Sequence, residues 1–205
     1  MITQTKEIQA NLTPKNAFNI LVEGNKRFVQ NVKAQRNLKT QVIETSKGQF
    51  PFAAILSCID SRVPAELVFD QGIGDIFSIR VAGNIVNEDV LGSMEYSCKV
   101  AGSKIVVVMG HTKCGAVTAA CQKVELGNIT PLLRKIKPAV DSIIGENKEL
   151  MNTDIEEVAI LNVRLSIERI KQESPILSEM EKNGEIEIVG ALYCVETGEV
   201  DFFQE

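Results

Sequence analysis

The sequence predicts an α/β protein. It is expected to have a mainly parallel central sheet of four strands plus a C-terminal antiparallel edge strand, with helices on both faces and an N-terminal helical arm. Three observations predict this. Short apolar runs alternate with helical stretches, the pattern of a parallel sheet covered by helices. The runs are continuous rather than alternating, as strands buried on both faces require. The last run follows a Glu-Thr-Gly turn, which marks a hairpin and hence an edge strand.

The elements follow in chain order. "TPKNAFNILVEGNKRFVQN" (Thr13–Asn31) opens with a Thr cap and Pro at the first helical position, and carries Phe18, Ile20, Leu21 and Phe28. Gly24 is expected to loosen its middle, and the helix has no obvious partner within the chain. Val32 to Gly48 is polar and reads as irregular or weakly helical. Strands are expected over Phe52–Ser57, Asp75–Gly83, Lys104–Gly110 and Ile186–Val195, with Val200–Phe203 as the antiparallel edge. Helices are expected over Val63–Phe69, Val90–Val100, Gly115–Val124, Leu132–Ile144 and Thr153–Met180. No repeat or low-complexity linker divides the chain. Residues 1–205 therefore read as one domain, with 1–48 the arm and 49–205 the α/β core.

Composition narrows the class. In 205 residues, 44% are hydrophobic and 24% charged, and 22 basic against 27 acidic side chains give a net charge of −5. That balance disfavours a general nucleic-acid binder. No apolar stretch approaches the roughly 18 residues of a membrane span, and the N-terminus lacks the apolar region of a secretory signal. A cytoplasmic protein is expected. Five cysteines, an odd number, argue against a disulfide framework. Metal binding, catalysis or core packing remain for them.

Two strand ends carry unusual residues. The first strand runs into Cys58, Asp60 and Arg62, and the third into "GHTKCGAV", with His111 and Cys114. Parallel strands end at the same edge of the sheet, where ligand sites of such sheets lie, so these residues can converge. Gly110 and Gly115 give the turn room to bend. Two thiolates and an imidazole suit Zn2+. Alone, each cysteine is as readily a small core residue. Their joint placement with the only histidine favours the metal. A closed structural site needs a fourth firm ligand. There is no second histidine, and Cys98, Cys121 and Cys194 fall on expected helices or a strand and read as core thiols. Three ligands leave a position for water. Asp60 either takes that position or orients its occupant, and Arg62 can hold the carboxylate by a charge-assisted pair. The plainer alternative is a surface ion pair of little worth.

With these residues in hand the sequence resembles the β-class carbonic anhydrases. "CIDSR" and "HTKC" match that family's C-x-D-S-R and H-x-x-C signature, supported by "GDIFSIRVAGN" and "SMEYSCKVAGSKIVVVMGHTKCGAV". The match runs from about Asn25 to Ala120 and more weakly into "GALYCVETGEVDFF". The resemblance implies one Zn2+ per chain on Cys58, His111 and Cys114, with Asp60 and Arg62 as a catalytic dyad and Asp60 a fourth ligand in a closed form. It implies a substrate pocket lined by Gln49, Phe77, Tyr96 and the Gly115 N–H. It also implies a homodimer, or a dimer of dimers, in which the partner supplies part of that pocket and is embraced by the N-terminal helix. The implied reaction is reversible hydration of CO2 to bicarbonate and a proton by hydroxide held on zinc.

Three further expectations follow from the residues. Two thiolates neutralise the ion's charge, so activity should rise toward alkaline pH, above about pH 7. The sole histidine is a ligand, so no imidazole remains to shuttle the proton. The chain has no tryptophan, so the regulatory bicarbonate pocket that some relatives build with one must be absent or rebuilt around Arg80 and Tyr193. This favours the open form, with Asp60 on Arg62. A hydrolase acting on carbonyl sulfide or carbon disulfide, and a non-enzymatic zinc or thiol sensor, remain the rival readings.

Overall fold

The computed structural model describes residues 3–144 and 151–203. Among the described residues five strands form one sheet: β1 Ala53–Ser57, β2 Ile76–Arg80, β3 Ile105–His111, β4 Glu187–Tyr193 and β5 Val200–Phe202. Their spatial order is β2-β1-β3-β4-β5. The first four are parallel, and β5 runs antiparallel to β4. Every residue of the central strands β1 and β3 is buried, which is why their sequences are continuously apolar. Edge strand β2 is half-buried or exposed along its length.

The helices are α1 Lys6–Ala10, α2 Pro14–Val29, α3 Leu38–Thr45, α4 Ala65–Val68, α5 Glu88–Glu95, α6 Gly115–Cys121, α7 Ile129–Leu133, α8 Lys137–Ile144, α9 Asn152–Glu173 and α10 Pro175–Lys182. Successive strand residues point to opposite faces, and each face has its own cover. Ala54, Leu56, Val106 and Val108 pack against Leu91 and Met94 of α5, Val163 and Ile170 of α9, and Leu177 of α10. Ala53, Ile55, Ile105 and Val107 pack against Ala17 and Leu21 of α2 and Val68 of α4. A third apolar cluster, from α6, α8 and α9, surrounds Cys58 and Cys114 beyond the strand ends.

Several expectations need correction. Helix α2 has a partner within the chain: Ala17 and Leu21 are fully buried on its own sheet. Gly24 does not loosen it, because a Cβ there would fall 1.9 Å from the Phe69 carbonyl oxygen. The glycine lets α2 approach α4. The segment read as irregular or weakly helical contains α3, capped by the Asn37 side chain. Leu38, Val42 and Ile43 of α3 are exposed, so the arm's unpartnered apolar side lies there. The stretch Leu132–Ile144 is two helices. Thr153–Met180 breaks at Ser174, whose extended backbone precedes Pro175 and whose hydroxyl caps α10. Tyr96–Val100 continues α5 as a π turn. Gly110 lies inside β3, where a Cβ would meet Val163 Cγ2 at 2.8 Å. It admits α9 rather than bending a turn. Among the described residues, no helix is long and apolar enough to cross a membrane.

Candidate metal centre

The parallel register pairs Ser57 with Met109, so Cys58 arrives level with the end of β3. His111 is the last residue of β3. The turn after it uses Lys113 in the left-handed region, at φ 54°, and returns the chain so that Cys114 begins α6 as its N-cap. The donor atoms of Cys58, His111 and Cys114 all lie within 4.8 Å of one another, and all three residues are buried. The two sulfurs are 4.0 Å apart. A tetrahedral zinc with bonds of about 2.3 Å to sulfur would space them by about 3.8 Å.

His111 is oriented for the same purpose. Its Nδ1 is 2.9 Å from the Thr112 carbonyl oxygen. A carbonyl only accepts, so Nδ1 carries the proton and the Nε2 lone pair is left facing the sulfurs. Nε2 is buried with no hydrogen-bond partner. An orphaned buried acceptor is costly, and a cation on the two sulfurs would satisfy it. The residues fit a zinc ion, and the backbone bond at Nδ1 is the usual orienting contact of a histidine ligand.

The sulfurs share one proton. The hydrogen bond from Cys114, opposed by burial and helped by the Gly83 N–H, lowers the Cys58 pKa. The Cys58 neighbour and burial push the Cys114 thiol up. A divalent cation would displace the thiol proton held between them. The Gly83 N–H lies 3.3 Å from Cys58 Sγ.

Asp60 and Arg62 stand at the mouth. Arg62 Nε donates to Asp60 Oδ1 at 2.9 Å and Nη2 to Oδ2 at 2.8 Å, and the Arg62 backbone N–H also reaches Oδ1 at 2.9 Å. The Arg62 guanidinium holds the Asp60 carboxyl well below the usual carboxylate range, against a smaller opposing effect of burial. Asp60 Oδ2 is 3.9 Å from His111 Nε2. Arg62 also reaches the Lys113 carbonyl oxygen at 3.3 Å, which ties the two site loops together.

Arg80 and Tyr193, named above only as parts of a rebuilt bicarbonate pocket, stand beside the site. Arg80 donates to the Cys58 carbonyl oxygen at 3.1 Å and to that of Asp60 at 2.6 Å, anchoring the loop to β2. Its guanidinium is engaged with backbone oxygens. Tyr193 sits opposite His111 in β4, and burial pushes its hydroxyl pKa up. Gly83 was legible only as part of "RVAGN". Its contact with sulfur depends on a fold that no local pattern encodes.

The structure brings Cys58, Asp60, Arg62, His111 and Cys114 together, with Gly115 opening α6 beside them. It does not bring Gln49, Phe77 and Tyr96 to them. Gln49 is exposed in the loop ahead of β1, at the opposite end of the strand. Phe77 is level with Ala54, four residues and about 13 Å along the strand from Cys58. Its ring meets Tyr96 edge-on at 6.2 Å, and the two line a groove of about 710 Å³ along β2 with Glu88, Asp89 and Ser93. Cys98 and Cys121 are buried, and burial pushes Cys98 up to about 11. Cys194 is not a strand thiol. It lies in the turn after β4 and is half-buried.

A parallel α/β sheet presents at its strand ends a Cys-His-Cys group that could hold a metal ion, with a clamped carboxylate beside it. The family model for carbonic anhydrase matches residues 53–200. The chain is 34% identical over 197 residues to carbonic anhydrase 2 of Mycobacterium tuberculosis, covering 92% of each. It is similar to the β-carbonic anhydrase CafA of Aspergillus fumigatus, with a TM-score of 0.74 and 26% identity over 91% of this chain and 90% of that one. It shares its fold with the tetrameric β-carbonic anhydrases of Sordaria macrospora, at a TM-score of 0.73 and 21% identity over 93% and 98% of the two chains. The chain belongs to the β-class carbonic anhydrase family, whose general activity is the hydration of CO2.

Proposed function

We propose that Cys58 Sγ, His111 Nε2 and Cys114 Sγ hold one Zn2+ and that the chain catalyses the reversible hydration of CO2 to bicarbonate and a proton. The observation that carries this reading is the buried, unpartnered Nε2 of the only histidine, facing two sulfurs 4.0 Å apart. Bound zinc would act as the Lewis acid that makes water nucleophilic near neutral pH.

The chain's own groups do the rest. Asp60, kept ionised by Arg62, accepts a hydrogen bond from the attacking oxygen and turns its lone pair toward the carbon. The same clamp keeps Asp60 off the metal position. The Gly115 N–H opens α6 beside the site and serves a substrate oxygen. The released proton passes to buffer, because the one imidazole is taken.

The pocket is completed by a second copy. Gln49, Phe77 and Tyr96 are too far from the donor set of their own chain, and among the described residues β2 pairs only with β1 in the sheet. Pairing two copies along β2 would carry these residues toward the partner's metal centre and cover the Phe77–Tyr96 groove. The exposed Leu38, Val42 and Ile43 of α3 would lie on that partner. This reading supports a homodimer that can assemble further. The free cysteines favour a reducing, cytoplasmic location.

Stopped-flow CO2 hydration, run beside sulfide release from carbonyl sulfide and carbon disulfide, tests the substrate. The expected result is CO2 hydration. Sulfide release without CO2 hydration would replace this reading with the hydrolase one.

A further inference from the structure

Helix α9 carries a buried amide among Val158, Ala159 and Val163. Asn162 is 4% exposed, and its side-chain Nδ2 donates to the Gly83 carbonyl oxygen at 2.9 Å across 79 residues of sequence. Asparagine is a middling helix former, and a buried amide is costly unless it is bonded. Neither helix propensity nor apolar packing explains it.

Its partner explains it better. Gly83 lies in the tight turn Ala82–Asn84, at φ 67°, and Asn84 follows at φ 43°. A Cβ at Gly83 would fall 2.6 Å from Ile136 Cδ1 and 3.3 Å from Ala116 Cβ, so the backbone itself is wedged between α6 and the segment leading into α8. A glycine in that conformation has wide freedom to rotate unless its peptides are held. Its carbonyl is held by Asn162, and its N–H points at Cys58 Sγ, 3.3 Å away.

We infer that Asn162 is a positioning residue for the metal centre: by fixing the Gly83 carbonyl it keeps the Gly83 N–H on Cys58 Sγ, which orients that thiolate and weakens it as a donor. A hydrogen bond to sulfur draws charge from the lone pair that a metal would use. Contacts of this outer kind govern metal affinity and ligand character. The inference rests on the reading that the Cys58–His111–Cys114 group holds a metal.

The test uses full-length protein loaded with Co2+, in the wild type and in Asn162→Leu, which removes the donor at nearly constant size. The sulfur-to-cobalt charge-transfer band should move to longer wavelength in the variant, because a thiolate relieved of its hydrogen bond donates more strongly. A band at the wild-type position overturns the inference. Should the variant not fold, the 113Cd-loaded wild type decides. It should show through-hydrogen-bond couplings from Cd to the Gly83 amide proton and from the Asn162 side-chain nitrogen to the Gly83 carbonyl carbon. Absence of either coupling in a protein that binds one Cd2+ overturns the inference while leaving the metal reading intact. A wild type that binds no metal overturns both.

Discussion

The Arg62 guanidinium grips the Asp60 carboxylate through two parallel contacts, Nε to Oδ1 at 2.9 Å and Nη2 to Oδ2 at 2.8 Å. A fork of this kind fixes direction as well as charge. Lysine cannot reproduce it. We predict that Arg62→Lys and Arg62→Ala each lower kcat/KM for CO2 by about 10- to 100-fold, with zinc content unchanged. Stopped-flow hydration paired with metal analysis checks this. Full activity in Arg62→Lys would show that charge alone suffices.

Gln49 and Cys58 sit at opposite ends of β1. If Gln49 serves the partner's site, Gln49→Ala and Cys58→Ser should each be nearly inactive alone. Their mixed dimers should regain one intact site. After unfolding and refolding an equal mixture, about a quarter of wild-type activity should return, because half the dimers are mixed and each has one good site of two. No recovery would place Gln49 in the site of its own chain or outside the site altogether.

Release of the proton should show itself in two solution behaviours. With the sole histidine bound to metal, turnover should rise with buffer concentration and then saturate. With two thiolate ligands, activity should rise from about pH 7 toward alkaline values. Turnover independent of buffer would reveal a shuttle among the remaining groups, and a flat profile from about pH 6 to 9 would contradict the donor-set argument.

Asp70 makes a separate prediction about stability. Its carboxylate meets Arg27 Nε and Arg36 Nη1, both at 2.6 Å, with little of its side chain exposed. Burial opposes its charge, but the Arg27 bond, the Ala34 N–H and Arg36 together lower its pKa. The folded value lies below the unfolded one, so the stabilisation is present above the ordinary carboxylate range and is lost as pH falls through the folded value. Asp70→Asn leaves two arginines facing a neutral group. It should cost about 3–5 kcal/mol near pH 7, and the gap from wild type should narrow as pH falls below about 4. Urea unfolding at pH 7 and pH 3 measures both.

Much of the fold was legible because the central strands are buried on both faces and therefore written as continuous apolar runs, such as "KIVVVMG". The Cys-His-Cys group was legible because Cys58 and His111 stand at strand ends and Cys114 opens the helix that follows, where a core needs neither thiols nor imidazole. Helix breaks were less so: the stop before Pro175 is a local signal overlooked inside a long periodic stretch, and α3 carries too few buried residues to show a stripe. Gly24, Gly83, Gly110 and Asn162 were hidden for a different reason. Each acts on a neighbour far away in sequence, and only packing reveals what it touches.

If Cys58, His111 and Cys114 hold the metal on which CO2 hydration depends, losing one of them should abolish both. The most direct test measures zinc per chain and CO2 hydration in the wild type and in Cys58→Ser. One zinc and high activity are expected in the first, with both lost or nearly lost in the second. Equal activity in the two proteins would contradict it.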